Sequence, residues 1–502
     1  MFFKKTFCHF QGSSKSKIIL NSRGLFNSKP NNKYHQHHLN YYLKRVPTRF
    51  CSSGYNSLFG YYSLFGSIKF RNLNSPSLSN RLNNKLYNSL NNNNYNNNVN
   101  KNLNNELFNN GLLNNNNHYH YHNNVKYVIS QERKNYTKPI VGYWLLGISG
   151  LIFGIVVLGG LTRLTESGLS IVEWKPITGI IPPMNSSQWE EEFKKYQQFP
   201  EYKLQNYDMT LSDFKYIYFM EWAHRMWGRM IGIGFILPAT YFGIRGYMTR
   251  SVTKKVIGLA GLLGFQGVLG WYMVKSGLDE KLISTPNSVA RVSHYRLVAH
   301  LGSAFLLYAG MFLTGLQIIR DAKIINGTFP MDVAKILANP ALKRFRLFSI
   351  GTAALVFLTS MSGALVAGLD AGLIYNEFPY MGQNIIPPKS ELFSGDDINN
   401  LWRNFFDNPT TVQFDHRVLA TTTLTVITAL WLYSRRFNLP PKVRLLINSV
   451  LGVGCLQVTL GISTLIYMVP IPLALAHQAG SLTLLTTVLH LVHAMRKVPI
   501  KL

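Results

Sequence analysis

Beyond residue 137 the sequence carries eight apolar segments, centred near residues 150, 236, 265, 308, 357, 424, 455 and 483. At about 1.5 Å per residue each is long enough to cross a bilayer. Lipid offers no water to backbone N–H and C=O groups, so a spanning segment has to satisfy them internally, as a helix does. The expected fold class is an all-α integral membrane protein with eight transmembrane helices.

The region ahead of these segments has a different composition. Residues 1–105 contain fifteen Lys or Arg and no acid; the first is Glu106. Scattered arginines such as Arg23, Arg45 and Arg49, with no long apolar stretch in MFFKKTFCHF, read as a mitochondrial transit peptide and not as a secretory signal. From Asn83 to Asn117 asparagine dominates, and the expectation is disorder. The HYHYH run at 118–122 reads as part of the same low-complexity stretch more readily than as a metal site. The net charge of +29 raises the question of nucleic acid, but the positive charge sits in this tail and in short loops between apolar spans, a pattern of membrane topology. Cys8, Cys51 and Cys455 are the only cysteines, which excludes a disulfide framework and a thiolate metal site.

The apolar part repeats itself. ESGL at 166–169 corresponds to DAGL at 370–373, and each precedes IIPP, at 180–183 and 385–388. His224 and Arg225 match His416 and Arg417, Gln266 matches Gln457 within FQGVLG and LQVTLG, and His300 matches His477. The expected architecture is two duplicated four-helix bundles, residues 138–325 and 326–502, behind a leader of residues 1–137. Four helices separate the repeats, so both enter the membrane from the same side, unlike the inverted repeats of many transporters. Basic loops near RGYMTRSVTKK, KRFR and SRRFNLPPKVR face one side together with the C-terminal RKVPIKL. By the positive-inside rule that side is the matrix, and the four paired histidines fall toward the intermembrane space.

Ionisable residues within a span are costly and mark function. His224 with His300, and His416 with His477, fall near the starts of the second, fourth, sixth and eighth segments. Facing neutral imidazoles on two helices of a bundle are suited to the two axial positions of a haem iron. A hydrogen bond to a neighbouring carbonyl explains any one histidine but not two matched pairs. His294, His490 and His493 lie where interfacial anchoring is the better reading. Arg225 and Arg417 are candidates for haem propionate contacts or for snorkelling, and Gln266 and Gln457 for bonds within each pocket or between helices. The repeats differ at one place: Glu221 stands three residues before His224, and Gln413 three before His416. Glu221 is the catalytic candidate, a carboxylate able to move protons or stabilise positive charge; the structural alternative is an acid capping the helix start.

GGLTRLTESGLSIVEWKPITGIIPP, EWAHRMWGR, HLGSAFLL, VQFDHR and AHQAGSLTLL, spread over residues 138–497, together resemble the haem A synthase family. The resemblance implies an oxidoreductase that converts the methyl group of haem O into the formyl group of haem A. It places the substrate haem on His224 and His300, haem B on His416 and His477, and the acidic residue on Glu221. It further implies a ferredoxin-type electron donor, the haem O-producing farnesyltransferase and cytochrome c oxidase assembly factors as partners, and the mitochondrial inner membrane as location. Some bacterial members carry a cysteine pair in the first external loop; here that loop, about 163–220, has none and offers Trp174 and Trp189 as packing over the first pocket. Two other classes compete. A dihaem electron-transfer cytochrome oxidising quinol has no need of Glu221 in one half alone. A haem or prenyl-lipid transporter would show broken helices near the midplane, whereas Gly and Pro here cluster in loops.

Overall fold

The computed structural model describes residues 136–175, 178–284, 289–393 and 398–498. The leader up to residue 135, with the HYHYH run, Cys8 and Cys51, lies outside the described residues.

Eight long helices dominate: α1 (Pro139–Leu164), α2 (Leu211–Ile244), α3 (Arg250–Gly277), α4 (His294–Ile325), α5 (Leu342–Gly368), α6 (Pro409–Ser434), α7 (Pro441–Ile466) and α8 (Ile471–Ala494). Four of them, α1, α6, α7 and α8, open with proline in the first turn, where its missing N–H costs nothing. Among the described residues six are long and apolar enough to cross a membrane: α1, α3, α4, α5, α7 and α8. The sequence expectation was eight. The two that fall short, α2 and α6, are those that carry Glu221, His224 and Arg225 in one and Asp415, His416 and Arg417 in the other.

The second segment also starts earlier than its apolar centre near 236 predicts. Thr210 and Asp213 form a reciprocal capping box at Leu211, so α2 runs 34 residues and His224 lies well inside it. Glu221 is therefore not a helix cap. His300, His416 and His477 sit in the second turn or just beyond it in α4, α6 and α8.

Helix α1 packs on α2 and α4, and α3 on α2 and α4; α5 packs on α6 and α8, and α7 on α6 and α8. Between these groups α4 meets α5, α8 meets α1, and α4 meets α8. Polar bonds join the neighbours within and across the groups. Trp144 Nε1 donates to Gly234 O and Trp227 Nε1 to Leu151 O, both at 2.9 Å, clamping α1 to α2. Gln478 Nε2 on α8 donates to Val156 O on α1 at 2.9 Å, and Tyr308 meets Thr486 at 2.7 Å between α4 and α8. Helices α3 and α7 pack mainly on two long neighbours each and leave Ile257 and Leu445 about two-thirds exposed, the surface expected to face lipid.

Between α1 and α2 a small lobe packs Trp189, Tyr196, Phe214, Ile217 and Tyr218 together. Trp189 is buried there, as expected of a packing residue, whereas Trp174 is half exposed.

Candidate functional site

Each paired histidine rests against a glycine of the preceding long helix. An added Cβ at Gly159 on α1 would lie 3.0 Å from His224 Cε1, and at Gly270 on α3 3.2 Å from His300 Cε1. The second group repeats this: Gly363 on α5 against His416 at 3.0 Å, and Gly461 on α7 against His477 at 2.8 Å. The register is also shared. Gly159 and Gly363 stand seven residues before Glu166 and Asp370, and Gly270 and Gly461 stand four residues after Gln266 and Gln457. Any side chain at these positions would push on an imidazole. Sequence reasoning passed over them, although two close the quoted strings FQGVLG and LQVTLG.

His416 and His477 have ring centres 6.4 Å apart and planes at 87°. Two metal–nitrogen bonds of about 2 Å, with about 1 Å from each nitrogen to its ring centre, require roughly 6 Å. The pair thus fits one iron between two imidazoles. His224 and His300 lie within electrostatic reach of one another in the first pocket. Among the described residues no group of three or more His, Cys, Asp or Glu could hold a bare metal ion. The donors come in twos, a set that suits an iron already held in a porphyrin plane.

The ring nitrogens are treated differently in the two pockets. His416 Nδ1 is 2.8 Å from Ser362 Oγ, whose own proton goes to Thr359 O at 2.8 Å. The hydroxyl therefore accepts from Nδ1–H, and this network assigns the tautomer that leaves the Nε2 lone pair free for a metal. Gln457 Nε2 lies 3.1 Å from His477 Nδ1 while donating to His477 O at 2.9 Å. In the first pocket Gln266 Nε2 likewise donates to His300 O at 2.8 Å, but its oxygen is taken by Ser303. His224 Nδ1 and His300 Nδ1 are buried with no hydrogen-bond partner. The glutamines thus tie α3 to α4 and α7 to α8, and Gln457 also touches the histidine ring.

Glu221 is buried and fully engaged. Its Oε2 accepts from Ser170 Oγ at 2.7 Å and Ile171 N at 2.8 Å, and its Oε1 from Arg225 Nε and from a terminal Arg225 nitrogen at 3.0 and 2.5 Å. Arg225 also donates to Ile171 O and Glu173 O, at 2.9 and 3.3 Å. Arg417 behaves alike, donating to Tyr375 O at 3.0 Å and Tyr380 O at 3.1 Å. Both guanidinium groups thus anchor the loops that begin with ESGL and DAGL. Both loops turn at a left-handed residue, Glu166 at φ 51° and Asp370 at φ 54°. Asp370 is paired with Arg163 at 2.7 Å and Arg291 at 3.0 Å. Of the peripheral histidines, His294 meets Asp407 at 3.0 Å.

Near the first pocket Glu201 is buried in the small lobe, bonded to Tyr196 OH at 3.0 Å. Burial pushes its carboxyl up to about 8; the Tyr196 hydrogen bond opposes this and the charge of Glu221 adds to it. Nothing in the sequence around PEYKL marked it.

Residues 142–489 match the COX15-CtaA family model, described as a cytochrome oxidase assembly protein. The chain is 50% identical over 375 residues to the haem A synthase COX15 of Saccharomyces cerevisiae, covering 73% of this chain and 77% of that one. It is 51% identical over 360 residues to the haem A synthase COX15 of Bos taurus, covering 72% and 83%. A haem A synthase–mitochondrial ferredoxin fusion protein of Schizosaccharomyces pombe is 48% identical over 376 residues, covering 72% of this chain and 61% of the fusion.

Proposed function

The chain belongs to the COX15-CtaA family of cytochrome oxidase assembly proteins, and from that premise we propose how it works as a haem A synthase. It is a multi-pass membrane oxidoreductase that converts the methyl group of haem O into the formyl group of haem A. Its substrate, with a long apolar tail, calls for a pocket open to lipid, which a helical bundle supplies. The observation that carries the reading is the doubled histidine pair, each ring seated on a glycine at matching register.

In this reading all eight long helices span the membrane, as two duplicated four-helix bundles at residues 138–325 and 326–502 behind an imported leader. The basic loops face the mitochondrial matrix, and both pockets open toward the intermembrane space across the inner membrane. His224 and His300 hold the substrate haem; His416 and His477 hold haem B. When bound there, haem B supplies reversible one-electron transfer. Glu221, with Arg225, presents a fixed buried charge beside the first pocket and holds the ESGL loop over it, limiting access of water. Gln266 and Gln457 fix the height of α4 and α8 so that His300 and His477 face their partners. A ferredoxin-type protein is the electron donor, supported by the fused relative in Schizosaccharomyces pombe. A haem O-producing farnesyltransferase supplies the substrate, and cytochrome c oxidase receives the product.

Expression in a host that makes haem O but no haem A, followed by extraction and mass analysis of the haems, tests this. Hydroxylated or formyl haem is the expected product. His300→Ala should lose it while haem B stays bound, and His416→Ala should lose haem B. A folded, haem B-loaded protein that gives haem O alone, even with ferredoxin and its reductase supplied, would overturn the enzymatic reading in favour of a dihaem electron-transfer cytochrome.

A further inference from the structure

The two pockets seat their α2 and α6 histidines in the same pose. A Cβ built at Gly159 would stand 3.0, 3.5 and 3.9 Å from Cε1, Nδ1 and Nε2 of His224. At Gly363 the values are 3.0, 3.6 and 3.6 Å for His416. The residue before each glycine is thus in an equivalent place, and there the pockets part: it is Ser362 in the second and Leu158 in the first. Ser362 accepts from Nδ1–H of His416 and donates its own proton to Thr359 O, whereas His224 Nδ1 is buried with no hydrogen-bond partner.

The fourth helices differ too. Three residues after His300 stands Ser303, which holds the Gln266 oxygen; three after His477 stands Gly480, where a Cβ would fall 2.2 Å from the Gln457 oxygen. The Gln457 amide nitrogen lies against Nδ1 of His477 as a donor, the reverse of the Ser362 contact, so the brace on Nδ1–H is particular to His416.

A metal-bound imidazole whose second nitrogen is hydrogen-bonded is fixed in orientation and made more basic, and loss of that partner lowers metal affinity about 10–100-fold. Building on the haem assignment above, we infer that the Ser362/Leu158 difference makes the second pocket the retaining one and the first the exchanging one. Leu158 and Ser362 are positioning residues: neither would touch the iron. A pocket that takes in haem O and gives up haem A has to release its ligand each turnover, and an unbraced His224 lets go more readily.

The test is haem loss from the purified full chain to excess apomyoglobin, followed in the Soret band, with the potential of the retained haem measured alongside. The wild type should lose haem in a fast and a slow phase. Ser362→Ala should speed the slow phase by about 10-fold or more and raise the potential, since a less basic ligand favours ferrous iron; Ser362→Thr should restore both. Leu158→Ser should slow the fast phase by a comparable factor. Wild-type rates and potential in Ser362→Ala would overturn the inference. If that variant does not fold, an unchanged fast phase in Leu158→Ser overturns it instead. Should His477→Ala leave the slow phase intact, the assignment of the retained haem to the second pocket fails, which is a different failure.

Discussion

Glu221 and Gln413 stand in equivalent places on α2 and α6 and tie their helices to the preceding loops with hydrogen bonds of opposite direction. Glu221 accepts, from Ser170 Oγ and Ile171 N. Gln413 donates, to Ala371 O at 2.9 Å and Tyr375 O at 3.1 Å. Both are buried, and each has an arginine four residues on that bonds to it. The difference between acid and amide is therefore built into each loop and is not a free choice at the helix.

Glu221→Gln keeps one acceptor for Ile171 N but leaves Arg225 without a counter-charge in a largely buried place. Breaking a buried pair costs about 3–5 kcal/mol, and the two loop carbonyls that Arg225 still meets place this case near the lower end. Thermal unfolding followed in the Soret band should show that loss. Haem A formation should fall by about 100-fold or more, with haem B retained in the second pocket.

The glycines make a sharper case. Gly461→Ala places a methyl 2.8 Å from His477 Cε1, so the ring has to shift relative to its partner. Strain of about 1–3 kcal/mol corresponds to a loss of haem B affinity of roughly 5- to 150-fold, read as lowered haem content by pyridine haemochromogen. Gly452→Ala on the same helix meets nothing within 4 Å and should keep its haem.

Much of this site is legible in the sequence for a physical reason. Histidines in apolar helices are expensive, so four of them at repeated positions stand out against a quiet background. Glycine does not stand out, because it is common in membrane helices wherever they approach closely; only the imidazole beside Gly159 or Gly461 shows its purpose. The loop partners of Arg225 were hidden for a related reason: besides Glu221 it bonds backbone carbonyls of Ile171 and Glu173, which carry no side-chain signal. The length of α2 was hidden because its capping box lies in a polar stretch ahead of the apolar one.

Glu201 gives the lobe over the first pocket a pH dependence. Its carboxyl is raised to about 8 in the folded protein, from an ordinary value of 4.5. Between these values the folded state binds more protons than the unfolded one, so stability falls as pH rises from about 4.5 to about 8. Glu201→Gln, which keeps a partner for Tyr196, should flatten that slope. Thermal midpoints at pH 5, 6.5 and 8 measure it, and parallel slopes in the two proteins would count against a buried neutral acid.

Asp370→Asn isolates the charge of its pair of contacts. Asparagine tolerates the left-handed backbone at this position, so the turn should persist. With the side chain of Asp370 part exposed, the loss should be modest, about 1 kcal/mol. It should shrink in 1 M salt, which a differential melting series would record.

Asp370 takes both its arginines from the other half of the chain: Arg163 closes α1 and Arg291 precedes α4. Two identical halves would make this contact twice. It is made once, because Ala367 stands three residues before Asp370, as Arg163 does before Glu166, and Met468 stands nine before His477, as Arg291 does before His300. Neither half can replace the other against its mate, so two separately made pieces, 1–325 and 326–502, should find each other in a single arrangement. In the proposed two-bundle arrangement the chain has become, in effect, a heterodimer whose partners are covalently joined.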